Sequence, residues 1–316
     1  MLTADAQGVY RADNHAWLFA YKSNTVLQAG PSKAMNWYNV SGSGSYSSAG
    51  LRASDSDAMC GNAVMYDAVN GAILAAGGSP SYQDVSATSN AHLIKIGSNL
   101  AVSVTKLPNM SYARAFANAV VLPDGTVLVV GGQSYPVPFT DTTPVFPAEL
   151  FDPKTNTWRV LASIAVPRTY HSIALLLPDA TVVAGGGGLC GTGCAQNHFD
   201  LQVFSPPYLF NSDGTRAARP AIASVSATQV APGAALKVTT AQAVTSFSLI
   251  RFGSTTHTVN TDQRRVPLSP ASVSGLTYTL NLPTDPGVLV PGYWMLFAIN
   301  SVGVPSVATT IKVLLA

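Results

Sequence analysis

An all-β fold is predicted for this chain by three observations: a recurring glycine pair, short apolar runs separated by turn residues, and a scarcity of charge. The pairs Gly77-Gly78, Gly131-Gly132 and Gly186-Gly187 lie 54 and 55 residues apart. Charged residues make up 10 % of the 316, where a soluble domain usually carries about 25 %. Hydrophobic residues reach 47 %, with 26 glycines and 21 prolines, and Glu149 is the only glutamate. Coiled coils and long surface helices need Glu, Lys and Arg at helical spacing, and the supply is missing. Disorder needs the opposite balance of low hydrophobicity and high charge. The net charge of +2 comes with no run of Lys or Arg, which argues against nucleic acid as a partner. No apolar stretch reaches the roughly 18 residues of a helical membrane span.

The elements follow in order. A faint first unit, Val26-Leu27-Gln28-Ala29-Gly30, precedes the first glycine pair by 47 residues. The three clear pairs close the runs Ala72–Ala76, Thr126–Val130 and Thr181–Ala184. Before the second and third runs stand a further apolar strand and a turn, Pro123-Asp124-Gly125 and Pro178-Asp179-Ala180. Pro-Asp-Gly between two apolar runs makes a hairpin because Pro fixes one dihedral and Gly accepts a positive φ. Outer strands follow at Glu149–Asp152, at Trp158 and at Val203-Phe204. Repeats near 50 residues holding a four-stranded pattern and a glycine pair read as kelch-like β-propeller blades. Unrelated hairpins in a sandwich are the alternative, and the repeated order of strand, turn, strand and glycine pair argues against it. About four blades fit into residues 1–211. An open fan leaves unpaired edges, so a closed ring needs more chain or a four-blade closure.

At Asn211-Ser212-Asp213-Gly214 the glycine-pair repeat stops. From Ala221 onward the strands are short and alternating, as in Ala235–Thr239, Phe247–Arg251, Thr277–Leu280 and Tyr293–Ile299. That spacing predicts an immunoglobulin-like sandwich over residues 212–316.

The N-terminus, Met1-Leu2-Thr3-Ala4-Asp5, has neither the basic residue nor the apolar run of a secretory leader. It fits a cytosolic protein, a mature chain or a piece of something longer. The sequons Asn39-Val40-Ser41 and Asn109-Met110-Ser111 carry little weight in a chain this rich in Asn and Ser. Five histidines, His15, His92, His171, His198 and His257, form no metal pair at helix spacing. Tyr170-His171 opens a blade strand, where a propeller approaches its central channel. Asp262 beside Arg264-Arg265 reads as a surface ion pair of small worth. The run Gly185–Cys194 lacks the Lys and Ser/Thr of a phosphate loop and opens no helix. Cys190 and Cys194 flank three small residues, a spacing open to a short disulfide loop in an oxidising compartment. Cys60 then stands outside that loop as a buried small hydrophobe.

Longer motifs carry a resemblance. Gly8–Trp17, Ala34–Tyr38, Asp57–Asp67, Arg168–Ser172, His257–Arg265 and Pro291–Phe297, in this order over essentially the whole chain, resemble the galactose oxidase family of copper radical oxidases. The resemblance implies a seven-bladed kelch-like propeller and a C-terminal sandwich whose loop reaches into the propeller channel. It implies oxidation of a primary alcohol to an aldehyde, with O2 reduced to H2O2 by one copper and one protein radical. By position, Tyr170 resembles the axial tyrosine that binds copper and takes the hydroxyl proton. His171 and His257 resemble the two histidine ligands, a donor set that suits tetragonal Cu(II).

Around them, Arg11 resembles the arginine that hydrogen-bonds the sugar, a task its fork of donors suits. Gln83 and its neighbour Tyr82 resemble the polar contact, while Phe139 after Pro138, and Phe116, resemble the aromatic wall. Tyr10, His15 and Thr169 line the same region. Thr169 stands where the family has valine, and Ala117 where it has histidine. The Cys190–Cys194 loop is one residue longer than the family's disulfide loop. Arg11, Gln83 and Phe139 favour galactose or galactosides over aliphatic alcohols and glyoxals.

No residue here matches the family's cross-linked tyrosine and cysteine or the tryptophan stacked over them. These lie upstream in the family, so the resemblance implies roughly the second half of a secreted enzyme. That half is expected to be inactive by itself, and monomeric once the first half is present. A non-enzymatic carbohydrate-binding propeller and an alcohol or glyoxal oxidase of the same family are the alternatives.

Overall fold

The computed structural model describes residues 15–188, 191 and 197–315. Four sheets follow one another along the chain, each an antiparallel meander. The first is β1 (Leu18–Tyr21), β2 (Thr25–Gln28), β3 (Ala34–Asn39) and β4 (Ser45–Leu51). The second is β5 (Asn62–Asp67), β6 (Ala72–Ala76), β7 (Ala91–Ile96) and β8 (Val102–Lys106). The third is β9 (Ala115–Val121), β10 (Val127–Gln133), β11 (Pro147–Asp152) and β12 (Thr157–Ser163). In the fourth, β13 (Ser172–Leu176), β14 (Val182–Gly186) and β15 (Leu201–Phe204) pair among the described residues.

The glycine pairs have a physical cause in the contact between neighbouring sheets. The N–H of Gly78 donates to the carbonyl of Arg114 at 2.8 Å, and that of Gly132 to the carbonyl of Arg168 at 2.7 Å. A Cβ on Gly77 would lie 2.5 Å from the Arg114 carbonyl, and one on Gly131 2.3 Å from that of Arg168. Each arginine also reaches back to the glycine pair of its own sheet. Arg114 donates to the Gly131 carbonyl and Arg168 to the Gly186 carbonyl, both at 2.9 Å. Both arginines are buried, and Arg114 meets buried Glu149 at 2.9 Å. At Gly77-Gly78 and Gly131-Gly132 the repeat read in the sequence is therefore a blade-to-blade clasp.

The hairpin turns also repeat from one sheet to the next. Gly125 takes φ +93°, and Ala180, at the same place in the next turn, is held at φ +63° without a glycine. Asp124 and Asp179 each accept the N–H of the threonine two residues on, at 3.0 Å, closing both turns alike.

The remaining strands form two facing sheets. They are β16 (Ile222–Val225), β17 (Gln229–Val230), β18 (Ala235–Thr240), β19 (Ser246–Arg251), β20 (Arg265–Leu268), β21 (Ser272–Ser274), β22 (Thr277–Asn281), β23 (Gly292–Ile299) and β24 (Thr309–Val313). One sheet has the order β16-β18-β22-β21 and the other β17-β24-β23-β19-β20, with only β17 and β24 parallel. The fold is a propeller part followed by a sandwich, all-β as expected.

The sandwich is fused to the blades by shared core. Trp17, Phe19 and Ile73 belong to one apolar cluster with Phe247, Trp294 and Leu296. Val120, Leu128 and Val182 cluster with Ile250, Met295 and Phe297. Polar anchors cross the same boundary: Gln263 accepts from the Val121 N–H at 3.0 Å and donates to the Ala119 carbonyl at 2.7 Å. Arg219 donates to the carbonyls of Asp179, Pro305 and Ser306.

One sequence expectation needs correcting. Asp262 pairs with Arg251 at 2.8 Å and not with either neighbour in the Arg264-Arg265 dipeptide. Arg264 is buried and donates to the carbonyls of Ala20 and Gly287, both at 2.9 Å. Arg265 donates to the Pro123 carbonyl at 3.1 Å and the Ser248 hydroxyl at 2.9 Å. These two arginines fasten the sandwich to the blades, where buried carbonyls need donors more than the surface needs an ion pair.

Candidate metal centre

Three successive blades begin their innermost strand with a residue in the left-handed region. Cys60, Phe116 and His171 take φ +58°, +57° and +64°. They stand 56 and 55 residues apart, one per repeat. A side-chain-bearing residue there costs about 1–2 kcal/mol. Neighbouring starts are tied together, since the Phe116 N–H donates to the Cys60 carbonyl at 2.8 Å. The turn brings Met59, Cys60, Ala115, Phe116 and Tyr170 into one apolar cluster, with Tyr82 packed against it. The Cys60 thiol is buried and donates to the Tyr82 carbonyl at 3.6 Å. Tyr170-His171 is thus the polar version of a position that is apolar in the two preceding blades.

His257 arrives from the sandwich. It sits with Thr258 at φ +50° and +70°, in a tight turn closed by Thr256 and Val259. The turn is pinned to the second blade. Asn62 donates to the Thr258 carbonyl at 3.0 Å and to the Ala117 carbonyl at 2.9 Å, and the Thr258 hydroxyl donates to the Gly61 carbonyl at 3.3 Å. The Thr256 hydroxyl lies 2.8 Å from His257 Nδ1, which leaves Nε2 to face inward.

There Nε2 of His257 lies 3.0 Å from Nε2 of His171, with the two rings at 89°. Tyr170 lies against His171, ring centroids 3.8 Å apart, and its oxygen accepts a hydrogen bond from the Tyr82 hydroxyl at 2.8 Å. Burial first, then the neighbouring His257, hold His171 below the ordinary imidazole pKa. A neutral imidazole is the form that binds a metal. Two imidazole nitrogens at this distance share either one proton or one cation. With metal–nitrogen bonds of about 2.0–2.1 Å, adjacent corners of a tetragonal donor set stand about 2.9 Å apart. Among the described residues no three His, Cys, Asp or Glu side chains converge as a metal site. The side chains that meet here offer two imidazoles and a phenol, donors that suit copper better than calcium or magnesium.

The surrounding residues divide into three groups. Phe116 packs 4.9 Å from Tyr170, and Phe139 stands edge-on 4.9 Å from Tyr170 and 5.6 Å from His171. His15 is buried, 5.2 Å from the Tyr82 ring and 5.5 Å from the His257 ring. The Thr169 hydroxyl donates to the Thr140 carbonyl at 3.2 Å, on the loop that carries Pro138 and Phe139. Gln83 is exposed beside Tyr82, and its amide donates to Asp84 at 2.8 Å rather than toward the ring cluster. Tyr10, Arg11, Cys190 and Cys194 lie outside the described residues. Sequence reasoning missed Asn62 and Thr256. For Asn62 a signal existed, because Asn118 recurs 56 residues on and holds the next blade by donating to Ser172 at 2.9 Å.

Comparison with known proteins places the chain in a family. A family model described as glyoxal oxidase N-terminus matches residues 1–208, and one described as galactose oxidase-like, Early set domain matches residues 219–313. The chain belongs to the galactose oxidase and glyoxal oxidase family of copper radical oxidases. A galactose oxidase of Gibberella zeae is 54 % identical over 99 % of this chain and 47 % of that protein. The aldehyde oxidase GLOX1 of Arabidopsis thaliana is 28 % identical over 69 % of this chain and 39 % of that protein. A fungal alcohol oxidase solved in complex with copper superposes with a TM-score of 0.94, at 53 % identity, over 98 % of this chain and 65 % of that chain. The chain spans about half the length of the galactose oxidases it matches.

Proposed function

We propose that this chain supplies the copper ligands and much of the substrate pocket of an oxidase for the primary alcohol of galactose or galactosides. The ligands are Tyr170, His171 and His257, with residues 1–211 forming the blades and 212–316 the sandwich. The observation that carries the reading is the 3.0 Å approach of two imidazole nitrogens from different domains, beside a tyrosine whose oxygen already accepts a hydrogen bond. Copper held there, paired with the cross-linked tyrosine radical of the family, would supply a two-electron acceptor. The chain's own residues do the rest. The Tyr170 oxygen, as the phenolate it would be when ligating the metal, takes the hydroxyl proton of the alcohol and becomes a neutral phenol, and the Tyr82 hydroxyl, donating at 2.8 Å, orients that phenolate before the transfer. Phe116 and Phe139 exclude water, while Arg11 holds the sugar hydroxyls, joined by Gln83 once its amide turns from Asp84 to the substrate. The alcohol loses two electrons and two protons and O2 gains them, giving aldehyde and H2O2. Secretion of the intact enzyme belongs to the same proposal, as the family resemblance implies. Residues matching the radical are absent from these 316, so the chain by itself gives no turnover.

Cu(II) titration of the purified chain, followed by electron paramagnetic resonance, tests the ligand assignment. A tetragonal signal with two nitrogen couplings is expected. His257→Ala raises the copper Kd by more than about 100-fold, beyond the effect of losing an outer partner. Unchanged copper binding in His257→Ala refutes the assignment. H2O2 from galactose with the copper-loaded chain alone refutes the expected inactivity. The glyoxal oxidase model over residues 1–208 favours aldehydes as a second reading, and competition between galactose and methylglyoxal for the copper-loaded chain separates the two.

A further inference from the structure

The aromatic wall over Tyr170 and His171 stands on a loop with one buried polar hub. Gln133 ends β10 directly after the glycine pair and is 0 % exposed. Its amide nitrogen lies 2.8 Å from the Thr142 carbonyl and 3.3 Å from the carbonyls of Val137 and Thr140. Its oxygen accepts the Val137 N–H at 3.3 Å. The chain between these partners therefore wraps around a single side chain. Further ties fix the loop from outside. The Ser134 N–H donates to the Thr143 carbonyl at 3.0 Å, and His198 Nε2 meets Asp141 at 2.9 Å. The Tyr135 hydroxyl donates to the Asp84 carbonyl at 2.7 Å, linking this loop to the one that carries Tyr82. At its tip Phe139 is 43 % exposed and held at φ +62°, yet it keeps its edge against both the Tyr170 and His171 rings. An exposed phenylalanine in a left-handed conformation persists only where its surroundings over-determine it.

We infer that Gln133 is a positioning residue for the pocket: its buried amide holds residues 134–143 so that Phe139 stands over Tyr170 and His171 and sets the room left for the substrate. The substrate half of this inference rests on the proposed alcohol site, while the loop half does not. Leucine at 133 matches glutamine closely in size and cannot donate or accept, so it leaves the carbonyls of Val137, Thr140 and Thr142 without their shared donor.

Thermolysin cleaves before phenylalanine, and cutting at Phe139 in the metal-free chain reads the loop directly. Gln133→Leu raises that cleavage rate at least tenfold while the melting temperature stays within a few degrees of the parent. An unchanged rate at Phe139 overturns the inference, as does a rise matched by general cleavage across the blades. The second arm is a double-mutant cycle on galactose binding by the copper-loaded chain, with Gln133→Leu, Phe139→Ala and both together. Gln133→Leu weakens galactose several-fold alone and has no further effect once Phe139 is alanine, with copper affinity within twofold throughout. Additive effects, or loss of copper, show that Gln133 does not act through Phe139 and overturn it. Absence of galactose binding in the parent refutes the substrate reading of the site and, with it, the substrate half of the inference, while cleavage at Phe139 still decides the loop half.

Discussion

Replacing Gly131 by alanine strikes the clasp that places Tyr170-His171. The new methyl carbon would lie 2.3 Å from the Arg168 carbonyl and 2.9 Å from the Arg168 side chain. Neither is the end of a flexible group, so the segment Arg168–His171 must move. Position 131 also sits at φ +73°, which costs alanine about 1–2 kcal/mol. The displaced carbonyl loosens its 2.7 Å bond from Gly132, and with that loss the total reaches about 3 kcal/mol. Gly42→Ala is the control. It has a similar φ of +59° and nothing within 4 Å of the added carbon, so it costs only the conformational part, about 1 kcal/mol. Urea unfolding followed by tryptophan fluorescence measures both. At a slope near 3 kcal/mol/M the midpoint falls by about 1 M for Gly131→Ala and by a third of that for Gly42→Ala. Copper affinity falls in the first variant and holds in the second. Equal midpoint shifts, or full copper affinity in Gly131→Ala, would refute the argument that the glycine pair positions the ligands.

Two further expectations follow from buried charge and buried imidazole. Glu149→Gln leaves the fully buried Arg114 without its counter-ion and costs about 3–5 kcal/mol, whereas Arg114→Met/Glu149→Leu recovers most of that loss, as read by thermal melting. In the metal-free chain His92 and His171 both have lowered pKa values, mainly from burial. The folded state disfavours their protonation, so their contribution is fully present above the unfolded value of about 6.5 and is lost as pH falls from there toward the folded values. The melting temperature should drop between pH 7 and pH 5, and His92→Gln should flatten that slope; an unchanged slope removes His92 from the explanation.

Much of the fold was legible because its causes are local. Two of the three glycine pairs stand where the next blade's arginine carbonyl presses against the chain, so contact between blades leaves a mark in the residues themselves. Turn chemistry was equally plain at Asp124-Gly125, although Ala180 shows the same turn forming without a glycine when the surrounding strands impose it. The Asp262 reading failed for the reverse reason. Sequence neighbours suggested a surface pair with Arg264 and Arg265, but both arginines were recruited by buried carbonyls of the opposite domain. The proposed ligands were named from long family motifs and not from spacing, since His171 and His257 lie 86 residues apart. Gln133 left no signal, because a glutamine that organises a loop looks like any other after a strand.

The sequence by itself determined the all-β class, the repeat and the family, all of which rest on residue types recurring at short or fixed range. The tertiary structure alone decided that two histidines from different domains approach to 3.0 Å, that Gln83 turns to Asp84, and that one buried amide carries the Phe139 loop. Those facts depend on where distant chain segments dock, and docking is set by the shared apolar core and buried carbonyls between blades and sandwich, which no local pattern encodes.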